Sequence, residues 1–291
     1  MNIFKALLMG IVQGLTEFLP VSSSGHLAIF GRLLGIELDS GIYFDIMLHF
    51  GTLVAIFIVL WEDVWGMIRE TWGMLKTIFA NFLVFIVRKK GNTRYTYFKV
   101  VNSSYRKLVL MIIISTIPTG ILGMVGSDLV AAATTRLWVV GLCLIVTAML
   151  LMLADSKEGT LRIKDATYSS AFIVGIAQGV ATMPGLSRSG TTIATARMMG
   201  YNKKLAVKYS FLMSIPAILG AIVVKFRHIG DEAFGSKNLP GYIIGTIAAG
   251  VTGYFALKYM LKLIKNKKYF GFAIYCVVMG ILAIVISFIK K

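Results

Sequence analysis

Acidic residues are scarce. The 291 residues include 13 Asp and Glu against 30 Lys and Arg, and charge of either sign makes up only 15% of the chain. Soluble domains carry about 25% charged and about 45–50% apolar residues; here 57% is hydrophobic. That shortage excludes an ordinary soluble globule. Residues 88–107 alone have ordinary composition, and they are too few to build a domain. The formal charge of +17 does not indicate nucleic acid in so apolar a chain; it fits loops held at an anionic cytoplasmic leaflet. Cysteine is nearly absent too. Cys143 and Cys276 each lie inside an apolar run, which excludes a disulfide framework or a cysteine metal site and leaves two small core hydrophobes. No small-x-small site follows "MNIFKALLMGIV", so no cleavable signal peptide is expected.

What is present is a polytopic, all-α membrane chain. Six segments suit a crossing of about 20 residues: 42–62, 108–126, 132–154, 204–224, 240–261 and 269–288. Two further apolar pieces, 2–36 and 167–200, are broken near the middle by Pro, Gly and Ser. Each reads as a re-entrant helix–turn–helix hairpin, because irregular backbone at membrane depth needs protein or a water-filled cavity around it. Segment 74–87 reads as an interfacial helix within a cytoplasmic connection, 63–107.

The two broken pieces repeat each other. Gly10, Ile11, Gln13, Gly14, Ser22, Ser24 and Gly25 match Gly175, Ile176, Gln178, Gly179, Ser187, Ser189 and Gly190 without a gap, and Pro20 is one place out of step with Pro184. Three spans follow each copy, so residues 1–154 and 155–291 form two repeats. Lys and Arg crowd 63–107, 155–165, 201–208 and 262–268 and are missing from 37–41 and 127–131, which sets the crowded side in the cytoplasm. The first hairpin then enters from outside and the second from the cytoplasm. The repeats are inverted, and their polar turns can meet near the midplane.

Those turns hold the chemistry. Glu17 is an ionisable group at membrane depth, which marks a functional site by default. Ser22, Ser23 and Ser24 follow Pro20 and suit the N-terminus of a half-helix, with hydroxyls and free N–H groups together. N-capping alone is the commoner use of such serines. Ser23 and His26 share a helix face, and serine, histidine and carboxylate together can make an activated nucleophile. Arg188, between Ser187 and Ser189, needs an anion; it suits phosphate, and it also suits a pair with Glu17. Thr191 and Thr192 add hydroxyls. His49 reads as packing and His228 as a solvated loop residue. A transporter with broken helices aimed at an anionic substrate stands beside an enzyme on architecture alone; the nucleophile grouping favours the enzyme.

"QGLTEFLPVSSSGH" together with "PGLSRSGTT" resembles the undecaprenyl-diphosphate phosphatase family of bacteria, integral-membrane enzymes linked to bacitracin resistance. The resemblance implies hydrolysis of undecaprenyl diphosphate to undecaprenyl phosphate and inorganic phosphate, recycling the carrier for cell-wall synthesis at a plasma-membrane site that opens outward. It implies Ser23 as nucleophile, His26 and Glu17 as its activators, Glu17 also as a metal ligand, and Arg188 as the phosphate clamp. Ser22, Ser187, Ser189, Thr192 and Gln13 fill further diphosphate-binding positions. Position 13 is Gln where other members have a second glutamate, which leaves one carboxylate for the divalent cation, Mg2+ or Ca2+, that the family uses. The implied partners are a polyprenyl diphosphate and membrane lipids; a homodimer is allowed, and nucleic acid is not expected.

Overall fold

A computed structural model describes residues 2–36, 42–89, 94–226, 239–263 and 269–289. The described residues form twelve helices and no strand. Four are the arms of two hairpins: α1 (Ile3–Phe18) with α2 (Ser23–Leu34), and α8 (Tyr168–Val180) with α9 (Arg188–Met198). The longest of these has 16 residues, about 24 Å at 1.5 Å per residue, short of the ~30 Å hydrocarbon core. The remaining helices are α3 (Ile42–Val59), α4 (Trp61–Lys89), α5 (Ser104–Val125), α6 (Ser127–Thr134), α7 (Leu137–Asp155), α10 (Lys203–Phe226), α11 (Leu239–Leu263) and α12 (Phe270–Ile289). Helices α4, α5, α7, α10, α11 and α12 are long and apolar enough to cross a membrane. The chain is a multi-pass membrane protein.

The breaks have local causes. Pro20 pushes Leu19 out of the helical region, to φ −74 and ψ 142, and α1 stops there. In the second hairpin Gly185 takes φ +90, a left-handed turn that a Cβ would strain. Ser22 caps α2 by accepting from Gly25 N at 3.2 Å, and Ser187 caps α9 by accepting from Gly190 N at 3.0 Å.

Packing runs between the halves. Helix α1 lies along α11, α8 along α5, and α7 along α12. In a bilayer such contacts depend on small residues that let backbones approach. A Cβ on Gly10 would sit 2.3 Å from Gly245 O, and one on its repeat partner Gly175 would sit 2.3 Å from Ser115 O. Gly141 and Gly280 likewise face each other's carbonyls across α7 and α12. The largest apolar cluster draws on both halves, for instance Phe18, Leu53 and Met111 with Ile193, Phe211 and Leu257.

Three expectations need correction. The expected span 42–62 ends at Val59, and α3 is apolar but shorter than the six helices that can cross. Segment 63–107 is mostly not a loop with a short interfacial helix: α4 runs unbroken for 29 residues. Arg69, Glu70 and Lys76 dilute its apolar pattern, and tertiary contacts carry the helix past them. Arg106 on α5 bonds Glu70 at 2.9 Å and Thr77 at 3.2 Å, and the Asn81 amide pairs with Phe98 N and O. The expected span 132–154 starts later, at Leu137, because extended backbone at Arg136 separates it from α6. The connection 37–41, which lacks Lys and Arg, lies outside the described residues.

Candidate active site

The two turns touch. A Cβ on Gly25 would lie 3.1 Å from Gly185 Cα, and one on Gly190 would lie 3.4 Å from Pro20 Cβ. Positions 25 and 190, and 20 and 185, are equivalent in the two copies, so each turn abuts the other in the same way. Ser24 Oγ accepts from Gly185 N at 3.4 Å, and Ser189 donates to Leu19 O at 3.3 Å. The N-termini of α2 and α9 therefore open onto one spot, with free N–H groups and the positive ends of two helix dipoles.

Glu17, at the end of α1, lies at the centre. It is only 7% exposed. Its Oε1 is paired with Arg188 Nη2. Its Oε2 accepts from Ser23 Oγ at 2.5 Å and from Gln13 Nε2 at 3.0 Å. Arg188 opens α9 with a quarter of its side chain exposed. Glu17, Phe18, Arg188 and Ser189 line a small cavity with Ser210, Phe211 and Ser214 of α10. A burial this deep would cost several kcal/mol for a lone carboxylate; an arginine and two hydrogen-bond donors offset it.

Ser187 and Thr192 hold the second turn from within. Ser187 N donates to Thr147 Oγ1 at 2.9 Å. Thr192 donates to Arg188 O at 2.8 Å and lies 2.6 Å from Ser210 Oγ. The Thr191 hydroxyl is buried with no partner. Ser22, at φ +70, is the only non-glycine residue with positive φ among those described.

His26 is not where the Ser23 proton is. Its Nδ1 lies 2.7 Å from Ser22 O, and its Nε2 lies 2.7 Å from Tyr275 Oη. Shared helix face suggested a Ser23–His26 pair, but the serine hydroxyl turns to the carboxylate across the turn instead. His49 is a member the sequence reading missed. It sits 3.1 Å from Gln13 Nε2 and 3.8 Å from Asp45. The Asp45–His49 spacing of one helical turn was the available signal. Tyr275, 249 residues from His26, left none.

A protein-held divalent cation does not fit these side chains. Among the described residues no three His, Cys, Asp or Glu side chains converge. Both Glu17 oxygens are already engaged, and position 13 presents an amide that donates to Glu17 where a second carboxylate would have repelled it.

A family model described as bacitracin resistance protein BacA matches residues 6–282. A protein named undecaprenyl-diphosphatase from Alkaliphilus metalliredigens is 42% identical over 288 residues, 99% of each chain. Proteins of the same name from Halothermothrix orenii and Bacteroides fragilis are 38% and 39% identical, again over 99% of each chain.

Proposed function

The chain belongs to the bacitracin resistance protein BacA family, and from that premise we propose that it hydrolyses undecaprenyl diphosphate to undecaprenyl phosphate and inorganic phosphate at the junction of its two turns. The carrier so released returns to cell-wall synthesis, and bacitracin resistance follows from sustaining that supply. One observation carries the assignment of roles: Glu17 bridges Ser23 from one half of the chain and Arg188 from the other.

In the reaction the isoprenoid tail stays in lipid and the diphosphate enters the cavity. Arg188 turns from Glu17 to the terminal phosphoryl oxygens, joined by the N–H groups that open α2 and α9. Ser23 Oγ attacks the terminal phosphorus. Its proton passes to Glu17 Oε2, and the bridging P–O electron pair leaves with undecaprenyl phosphate. Water then cleaves the phosphoserine and releases inorganic phosphate. Charge spread over the phosphoryl oxygens is the main thing to stabilise in such a transfer. A divalent cation, were one to assist, would rely mainly on the diphosphate's own oxygens, because among the described residues Glu17 has no second protein carboxylate beside it.

The proposal extends to the bilayer. The halves are inverted repeats, the membrane is the bacterial plasma membrane, and the site opens to its outer side. That arrangement takes the 18-residue apolar helix α3 as a crossing together with α5 and α7, and it then requires α4 to lie at the interface, since a fourth crossing between the hairpins would set the repeats parallel. The exposed Trp61, Trp65 and Trp72 of α4 suit an interface.

Transport of an anionic lipid is a second reading, favoured by the meeting of two half-helix N-termini. Purified protein in detergent separates the two, because detergent abolishes sidedness. Hydrolysis predicts phosphate release by wild type and its loss in Ser23→Ala and Arg188→Ala while both variants still melt cooperatively. Absence of release by folded wild type, or full activity of Ser23→Ala, refutes the proposal.

A further inference from the structure

His26 is almost fully buried, and both ring nitrogens are engaged. A backbone carbonyl can only accept, so the 2.7 Å contact with Ser22 O makes Nδ1 the protonated nitrogen. In the neutral ring Nε2 is then bare, and it accepts from the Tyr275 hydroxyl at 2.7 Å. The two rings also lie parallel, 5.5 Å apart and 4° from coplanar orientation. Neither nitrogen faces Ser23, whose hydroxyl donates to Glu17.

The carbonyl that His26 grips belongs to the strained residue. Ser22 holds φ +70 without being glycine, a backbone conformation that strains an L side chain and persists only where its surroundings hold it. Its carbonyl receives both Nδ1–H and the backbone N–H of His26, the latter at 3.2 Å. Ser22 directly precedes Ser23, so its backbone angles aim the Ser23 hydroxyl. On the far side, α12 secures the same turn twice, through Tyr275 to His26 and through Cys276 Sγ to Pro20 O at 3.7 Å.

We propose that His26 and Tyr275 are positioning residues: Tyr275 orients the His26 ring, and the Nδ1–H of His26 clamps the Ser22 carbonyl so that Ser23 points at Glu17. The histidine moves no proton. This rests on Ser23 being the nucleophile, and the test keeps the two apart.

An asparagine amide can supply a donor near the position of Nδ1 but has no titrating nitrogen. Phosphate release and melting temperature are measured for wild type, Ser23→Ala, His26→Ala, His26→Asn and Tyr275→Phe. The clamp predicts that His26→Ala loses about 100-fold in kcat, the loss that a misplacement near 1 Å brings. His26→Asn recovers at least about tenfold of that loss. Tyr275→Phe, which keeps the stacked ring, lowers kcat about tenfold with KM unchanged. If His26→Asn is as inactive as His26→Ala, or Tyr275→Phe matches wild type, the clamp is overturned while Ser23 chemistry stands. If His26→Asn does not fold, Tyr275→Phe decides alone. Activity surviving in Ser23→Ala overturns the reading beneath.

Discussion

Glu17 and Arg188 form a buried pair that in the proposed reaction serves both folding and chemistry, and the two roles respond differently to the same substitutions. Glu17→Gln leaves Arg188 three-quarters buried without its counter-charge. Arg188→Met leaves an almost fully buried carboxylate alone. Removing one partner of such a pair costs about 3–5 kcal/mol, and the partial exposure of Arg188 puts Glu17→Gln near the lower figure. The double variant has no charge left to strand, so its stability recovers by roughly 2 kcal/mol against the worse single, a coupling within the range for contacting residues. Activity does not recover. Glu17→Gln removes the acceptor of the Ser23 proton, a loss of about 10²–10⁴-fold, and Arg188→Met removes transition-state charge stabilisation worth about 10²–10³-fold. Denaturation in detergent, beside phosphate release from the same samples, reads both effects. Additive stability losses would refute the pairing. Recovery of turnover in the double variant would refute the catalytic roles.

Gly10→Ala and Gly175→Ala each force a methyl to within 2.3 Å of a facing carbonyl; each should cost about 1–3 kcal/mol in overpacking and shorten the half-life at elevated temperature, and unchanged inactivation in either would deny the close approach. Gln13→Glu sets a second carboxylate beside Glu17 in place of a donor at 3.0 Å. A chelator should therefore depress the variant's turnover more than the wild type's, and equal sensitivity would sink that account of position 13. Thr192→Val strands the Ser210 hydroxyl, now 2.6 Å away, and should cost about 1–3 kcal/mol, with turnover at low temperature within a few-fold of wild type; an unshifted melting curve would contradict it.

The hairpins were legible because a proline, a serine run and a repeated glycine pattern leave marks that neither helix nor lipid exposure explains. The Glu17–Arg188 pair could be anticipated since two opposite charges at membrane depth have few other partners. The direction of the Ser23 hydroxyl was not legible. Sequence spacing offered His26 one turn away, while the choice was made by Ser22 backbone strain and a tyrosine on the last helix. Helix α4 escaped because its support is tertiary: Arg106 and Tyr105 of α5 hold Glu70 and Asp63, and no periodicity in 63–89 announces them. His49 reads as packing in the sequence because its contact with Gln13 forms only once α1 and α3 are side by side.

The cross-bracing of α1 on α11, α8 on α5 and α7 on α12 has a genetic corollary. Position 23 in one copy is serine and its counterpart, 188, is arginine, so each half carries a part the other has lost. Cutting the reading frame between Asp155 and Thr167 would yield two fragments that are each inert, and co-expression in one membrane should restore turnover through reassembly.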